Sequence, residues 1–571
     1  MKTDNGGNKI KAMEWKYFIP VIHMIAASFY MALGFRHEVL PFGNMTPVYA
    51  MDFWGTGCEK AAHILLSGIL GFCLIWIVWY VFFLLIKRKK ILPFLLIGAA
   101  FLICFMVFPS SFSYEPDNML VYSYAVRDIP DYWQSIYLGC FYKACLFVFP
   151  HPLMISFIQF SALFGVIYYI SVRTKKTFGR KAAWVPYLFI LFPEFLELGF
   201  SPYRNCIYTI MCLWFYSLLF FDCVEKKERT AKELILLSLS GGLLTVFRSE
   251  GIIVFGVLAA AFLFLYRLPL KALCKYMVLC AVICLALMLP QKLGEKKYYG
   301  QDYSMINSMN MLKTILSDKN VNLEFDTAEE DLLAIHKIVP LDELPTYGIH
   351  AYRANNFVRK GTINQSLASK EEADAFMKSV RNLIIHNPLL FLKDRLVMFC
   401  EANGIDAVRE DPYPTENWNQ MFAALAGEWN YSYAEIVRAS FPGILFNNQK
   451  KVNFAEAFRD FQYEYYELVC KSNLIFISRI LVFLLFPLLV IYDIKLCAKK
   501  ERTFFAASAF LLYLQLAAVI LLCPEGRNVY YFPSYFVMLS GCFLLSLDIM
   551  RKSRQVKTML PPVTAKLTTM P

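Results

Sequence analysis

Charge is what this 571-residue sequence has least of: only 18% of its residues are Asp, Glu, Lys or Arg. Soluble globular domains carry about 25%. That shortfall, with 58% apolar residues and a mean hydropathy of +0.45, excludes a soluble enzyme, a disordered chain and a fibrous one. Cys-x-x-Cys pairs and zinc spacing are lacking, so the sixteen cysteines support neither a disulfide framework nor a metal site. Most of them, such as Cys73, Cys104, Cys212, Cys280, Cys284 and Cys542, sit in apolar stretches, where a thiol behaves as a small hydrophobe. No small-residue cleavage site follows the N-terminal MKTDNGGNKIKAMEWK, so the first apolar stretch is expected to be retained. Internal repeats and low-complexity tracts are also missing.

What is present is a series of long apolar runs. A helix needs about 20 apolar residues to cross the hydrocarbon core. About twelve runs are read as spans on that rule, at residues 15–35, 61–86, 91–108, 153–172, 183–199, 203–221, 234–247, 252–266, 272–289, 473–492, 504–522 and 529–547. Arg248, Ser249 and Glu250 interrupt the apolar run over 234–266, so two short spans and one broken helix both fit there. The expected fold is an all-α polytopic membrane protein.

Lys and Arg in short loops set the orientation. With the N-terminus cytoplasmic, the runs at 87–90, 173–181, 226–232, 267–275, 495–502 and 551–566 all fall on the cytoplasmic side. Those segments hold about three times as many Lys and Arg as the outer short loops, as the positive-inside rule requires. The net charge of +12 is therefore a topology signal, and no nucleic-acid partner is expected. Both termini are expected in the cytoplasm, with the chain in the plasma membrane.

The chain divides on this reading into five parts. Residues 1–90 hold two N-terminal transmembrane helices. Residues 91–290 form a transmembrane core with an outer amphipathic loop at 109–152, expected as two short interfacial helices broken at Ile129-Pro130. Residues 291–470 form a mostly helical extracytoplasmic domain between spans nine and ten. There Thr327-Ala-Glu-Glu330 and Ser369-Lys-Glu-Glu372 read as capping boxes, and Asn387-Pro388 opens a further helix. Residues 471–550 return to the membrane, and 551–571 are a basic cytoplasmic tail.

Ionisable residues at membrane depth are functional candidates, because they are costly to place there. Asp117 follows the third run. It either accepts a proton from an acceptor hydroxyl or complements a helix dipole. Asp128 and Asp131 flank Pro130 and either contact substrate or form a solvated turn. Glu194 and Glu197 share a helix face near an outer end, and Arg204 opens the next span, so Arg204 meets either an anionic head group or Glu197. Arg248 needs an anion, supplied by Glu250 or by a phosphate. Glu525, Arg527 and Tyr530 lie in the last outer loop, where a planar guanidinium suits a phosphate. The histidines, including His23 and His63 in or beside spans, show no metal spacing.

An early outer Asp, outward arginines at span ends and a large outer domain before the last spans occur together. This layout resembles the GT-C superfamily of integral-membrane glycosyltransferases, in particular uncharacterised bacterial multi-spanning members, over about residues 91–550. The resemblance implies a GT-C-like fold and a sugar donor carried on a polyprenyl phosphate or diphosphate. The acceptor is then a glycan, lipid or protein of the cell envelope, reached on the outer face among membrane lipids. It implies Asp117 as the base of an inverting transfer, with Arg204, Arg248 and Arg527 at the donor phosphate. Asp128, Asp131, Glu194, Glu197, Glu250, Glu525 and Tyr530 are then candidates for acceptor and sugar contacts. No cofactor is fixed, and a divalent metal, Mg or Mn, stays open. The early Asp follows the third run rather than the first, and no WWDYG-like sequence is present, so transfer of whole oligosaccharides to Asn is not implied.

Two rival readings have their own signatures. A glycan polymerase or ligase of the O-antigen type would use Arg353, Arg359 and His386 in the large outer loop. A transporter or lipid flippase would show two similar halves and spans broken near the midplane, and matching halves are not seen.

Overall fold

The computed structural model describes residues 6–33, 57–87, 98–99, 121–122, 124–126, 128–132, 134–150, 153–191, 195, 198–199, 201–298, 308, 311–342, 369–403, 474–497, 499–523 and 530–559. Helix dominates these residues and no strand occurs among them. Lipid offers the backbone no hydrogen-bond partner, so a spanning segment must bond within itself, and a continuous helix does that. Seven helices among the described residues are long and apolar enough to cross a membrane.

In chain order the helices begin with α1 (Gly6–Leu33), α2 (Gly57–Lys87), α3 (Ile136–Val148) and α4 (Leu153–Phe178). A 3₁₀ stretch, Ala182–Leu191, leads toward α5 (Arg204–Val224). Then come α6 (Ala231–Phe247), α7 (Ile252–Ala260), which ends in a π turn over Ala261–Leu265, and α8 (Leu270–Tyr298). The segment between α8 and the last three helices supplies α9 (Ala328–Ile338), α10 (Lys370–His386) and α11 (Pro388–Ala402). The bundle closes with α12 (Leu474–Leu496), α13 (Lys499–Leu522) and α14 (Phe532–Met559).

Seven of the expected runs return as these long helices: α2, α4, α5, α8, α12, α13 and α14. Three others are shorter apolar or mixed helices. They are the described part of α1 over Tyr17–Ala32, the 17-residue α6, and Ile252–Leu265. Run 183–199 opens as the tight 3₁₀ stretch with Pro186 inside it, and most of 91–108 lies outside the described residues.

α5 stands at the centre. Of its apolar window 78% is buried, against 11% for α2, which lies at the periphery of the described helices. Buried Cys206, Cys212, Leu213, Phe215 and Leu219 of α5 belong to the main core, with α4, α6, α7, α12, α13 and α14 around it. α1 and α2 lean on the bundle through α3, where Ala27, Ile75, Phe147 and Val148 meet. α3 differs from the amphipathic interfacial helix expected there: nearly every one of its thirteen residues is buried. Neighbours enclose it on several sides, with α2 against Gly139 and Phe147 and α5 against Leu138 and Tyr142, so no face remains for water. Gly71 makes the α2–α3 approach possible, since an added Cβ would stand 2.6 Å from the Phe147 ring.

Polar side chains gather at two levels. Arg204 opens α5, and Asp222 near its far end is fully buried with Arg229 (2.6 Å) and the Tyr266 hydroxyl (2.7 Å). Lys552 of α14 reaches Asp493 of α12 (3.0 Å) and Asp548 (2.6 Å) at that far level too. Eighteen residues of helix between Arg204 and Asp222 rise about 27 Å. That spacing matches a hydrocarbon core about 30 Å thick.

Candidate functional site

The near level carries the sequence-predicted residues that the structure describes. Its first half is a turn. Tyr124, Ala125 and Val126 end a helical segment, and Asp128 N–H and Ile129 N–H close it on the carbonyls of Ala125 (3.3 Å) and Tyr124 (2.9 Å). Asp128 takes φ of 61°, a left-handed conformation that Asp tolerates better than most residues. Its buried carboxylate accepts a hydrogen bond from Lys143 Nζ of α3, and His63 Nδ1 of α2 lies 3.7 Å away. Asp128 is therefore an ion-paired acid held between two helices rather than a solvated loop residue.

Asp131 is fully buried, and its Oδ1 accepts from Gln134 N–H at 3.3 Å. The Gln291 side chain of α8 clamps the same turn. Its Nε2 donates to the Tyr132 carbonyl (2.7 Å), and its Oε1 accepts from Ile136 N–H (3.0 Å). Gly294 leaves room on α8 for the Tyr132 ring, which an added Cβ would strike. The turn is thus fixed by α2, α3 and α8 together.

The second half comes from α5 and the break between α6 and α7. Arg204 donates Nη1 to the Gln134 carbonyl, tying α5 to the first half. Arg248 ends α6 in extended backbone and is 7% exposed. Its Nε donates to Glu250 Oε2 at 2.9 Å, its Nη2 to the other Glu250 oxygen, and its Nη1 to Asn205 Oδ1. The Tyr530 ring lies under the guanidinium, 5.4 Å from centroid to Cζ. Gly251 lets this segment fold onto the end of α6: an added Cβ would stand 2.5 Å from the Leu244 carbonyl oxygen.

The arrangement divides the labour of the two arginines. Arg248 has its fork filled by Glu250 and Asn205, so it orients Asn205 and neutralises Glu250. Among the described residues, Arg204 Nε and Asn205 Nδ2 are buried with no hydrogen-bond partner. Both sit in the first turn of α5, which has no side-chain cap and whose dipole favours an anion. Buried donors without acceptors are costly. The site can therefore supply two side-chain donors and a helix N-terminus to an oxyanion.

Arg204, Arg248, Glu250, Asp128, Asp131 and Tyr530 are thus brought to one end of the bundle. Asp117, Glu194, Glu197, Glu525 and Arg527 lie outside the described residues, as do Arg353 and Arg359. His386, at the end of α10, stacks on Phe325, with centroids 4.1 Å apart. His23, half-buried, is satisfied on both nitrogens, by the Val148 carbonyl (2.9 Å) and by Trp79 Nε1 (3.0 Å). Among the described residues no three His, Cys, Asp or Glu side chains converge as a metal site would need.

Sequence reasoning missed Lys143, Asn205 and Gln291, and read His63 only as a histidine in or beside a span. Asn205 carried a usable signal, a carboxamide directly after Arg204 at the start of an apolar span. Compared with known proteins, the chain matches no protein family, no curated protein and no solved structure.

Proposed function

We propose that this chain is a membrane glycosyltransferase of GT-C-like architecture, with about twelve spans. It moves a sugar from a polyprenyl phosphate or diphosphate to an acceptor of the cell envelope on the outer face of the membrane. One observation supports this reading most: Arg204 and Asn205 hold buried donors that no described residue accepts from, at the uncapped start of a central apolar helix, beside the Arg248–Glu250 pair. An anion carried on a lipid reaches such a place from the bilayer, and a soluble anion does not need apolar walls around it.

In the proposed reaction the acceptor hydroxyl attacks the anomeric carbon of the donor from the face opposite the phosphate. The new carbon–oxygen bond forms as the bond to the phosphate oxygen breaks, and its electron pair leaves on the phosphate. The hydroxyl proton passes to a carboxylate, assigned to Asp117 on the resemblance. General-base help of this kind is worth about 10²–10⁴-fold. Arg204 and Asn205 stabilise the departing phosphate, together with Arg527 on the same resemblance, in a setting where fixed donors act strongly. Arg248 positions Asn205. Asp128, held by Lys143, shapes the acceptor side of the turn with Asp131.

The test is turnover. The full chain in vesicles is given a panel of polyprenyl-phosphate sugars and envelope acceptors, and release of polyprenyl phosphate is followed. Release is expected from the native protein and not from the Asp117→Asn variant, which should insert normally. Near-normal release by that variant rejects Asp117 as the base, and no release from any donor rejects the transfer reading.

A further inference from the structure

We propose that α11 is an interfacial helix whose outer edge dips into the lipid at the outer surface and so ties the outer domain to the bilayer. This does not depend on the transfer reaction, only on the bundle crossing a membrane.

α11 belongs to two cores at once. Leu390 and Phe391 in its first half pack on the outer domain's core of Ile315, Ile335, Phe376, Val380 and Leu383. Phe399 and Ala402 in its second half pack in the core of the membrane bundle. Two buried arginines set its height. Arg395, 1% exposed, donates Nη1 to the carbonyl of Cys523 at 2.7 Å, one residue beyond the end of α13. Arg479, near the start of α12, donates to the Ala402 carbonyl (2.8 Å) and to Asn403 Oδ1 (3.2 Å). The helix is thus pinned at the level where two spans end.

The edge turned away from both cores is apolar. Leu389, Leu392 and Leu396, spaced by three and four, are 78%, 47% and 57% exposed. Leu392 and Leu396 lie within about 5 Å of Arg395 along the helix axis, so they share the level of the α13 terminus. That terminus is itself open to lipid: Leu521 and Leu522 are 42% and 72% exposed. Exposed apolar side chains of α11 and of the α13 terminus thus stand on the two elements that the Arg395–Cys523 hydrogen bond joins. Charge marks the other flank, where Lys393 Nζ turns to Asp318 of the outer domain at 2.7 Å. An apolar edge with a cation reaching to one side is the pattern of a helix about 5–10 Å into the headgroup and acyl boundary. An exposed apolar edge pinned at the end of an apolar span argues for lipid as the occupant, since a partner covering α11 alone would leave Leu522 bare.

The experiment uses the full chain reconstituted in phosphatidylcholine and phosphatidylglycerol vesicles, with a benzophenone amino acid placed by substitution at Leu392, at Leu389 or at the exposed Glu371 of α10. Irradiation followed by mass spectrometry reads what each position touches. A mass gain of one phospholipid is expected at Leu392 and Leu389 and not at Glu371. Crosslinking of position 392 to a second copy, or to another segment of the same chain, overturns the proposal. So does equal lipid capture at all three positions, or none at any. Two independent positions on the edge keep the result readable if one variant fails to fold.

Discussion

Arg248 shows how much of the site rests on single side chains. Its planar fork reaches Glu250 through two nitrogens and Asn205 through the third. Lysine keeps the charge but cannot make that set of bonds. Arg248→Lys is expected to free the Asn205 amide and lower turnover by about tenfold or more, since misplaced catalytic groups cost that much, while the protein still inserts. Unchanged kinetics would remove Arg248 from the site. Asp331 of α9 offers a test by pH. Burial pushes its carboxyl up, but donors on Ser379, Thr327 and Asn382 outweigh burial and hold it below its ordinary value. The folded state therefore binds this proton less readily than the unfolded chain. Its stabilisation is whole above the ordinary carboxyl value and is lost as pH falls through the folded one. Hydrogen exchange in α9 and α10 should rise in acid for the native chain, and Asp331→Asn should lack that acid-dependent part. Identical acid profiles would contradict this role.

At the scale of elements, unbroken apolar runs were legible because hydropathy is a local signal, and α2, α4, α5, α8, α12, α13 and α14 all stand where such runs lie. Capping was read with mixed success. Ser369 and Glu372 form the box expected of them. Thr327 does not cap α9: its backbone, with φ of −101° and ψ of 6°, lies outside the extended conformation of an N-cap, and its hydroxyl donates to Asp331 Oδ2 at 2.8 Å. A box that went unread, Thr230 with Glu233, opens α6. Contacts between distant segments left no local trace. Gln291 meets Ile136 and Asn205 meets Arg248 across long stretches of chain, so the joining of the two halves of the site was not legible. The same holds for α3, whose burial on every side depends on neighbours far along the sequence. Its contact with α2 is testable. Gly71→Ala presses a methyl against Phe147 and is expected to destabilise by about 1–3 kcal/mol, as overpacking does. Thermal unfolding of the purified protein measures this, and an unchanged midpoint would mean the contact has slack.

For the whole molecule, two polar levels separated by about 27 Å of helix are the feature that unites charge, length and orientation. Asp222, Arg229, Asp493 and Lys552 lock the end that the positive-inside pattern assigns to the cytoplasm. Arg204, Asn205, Arg248 and Glu250 stand at the other. The most direct measurement asks whether that second end recognises a phosphate on an isoprenoid. Native mass spectrometry of the detergent-released protein compares retained undecaprenyl phosphate with retained undecaprenol, for the native chain and for Arg204→Ala and Asn205→Ala. The expected result is that the native protein keeps the phosphate lipid and not the alcohol, and that both variants lose this preference. Equal retention of the two lipids by the native protein would contradict it.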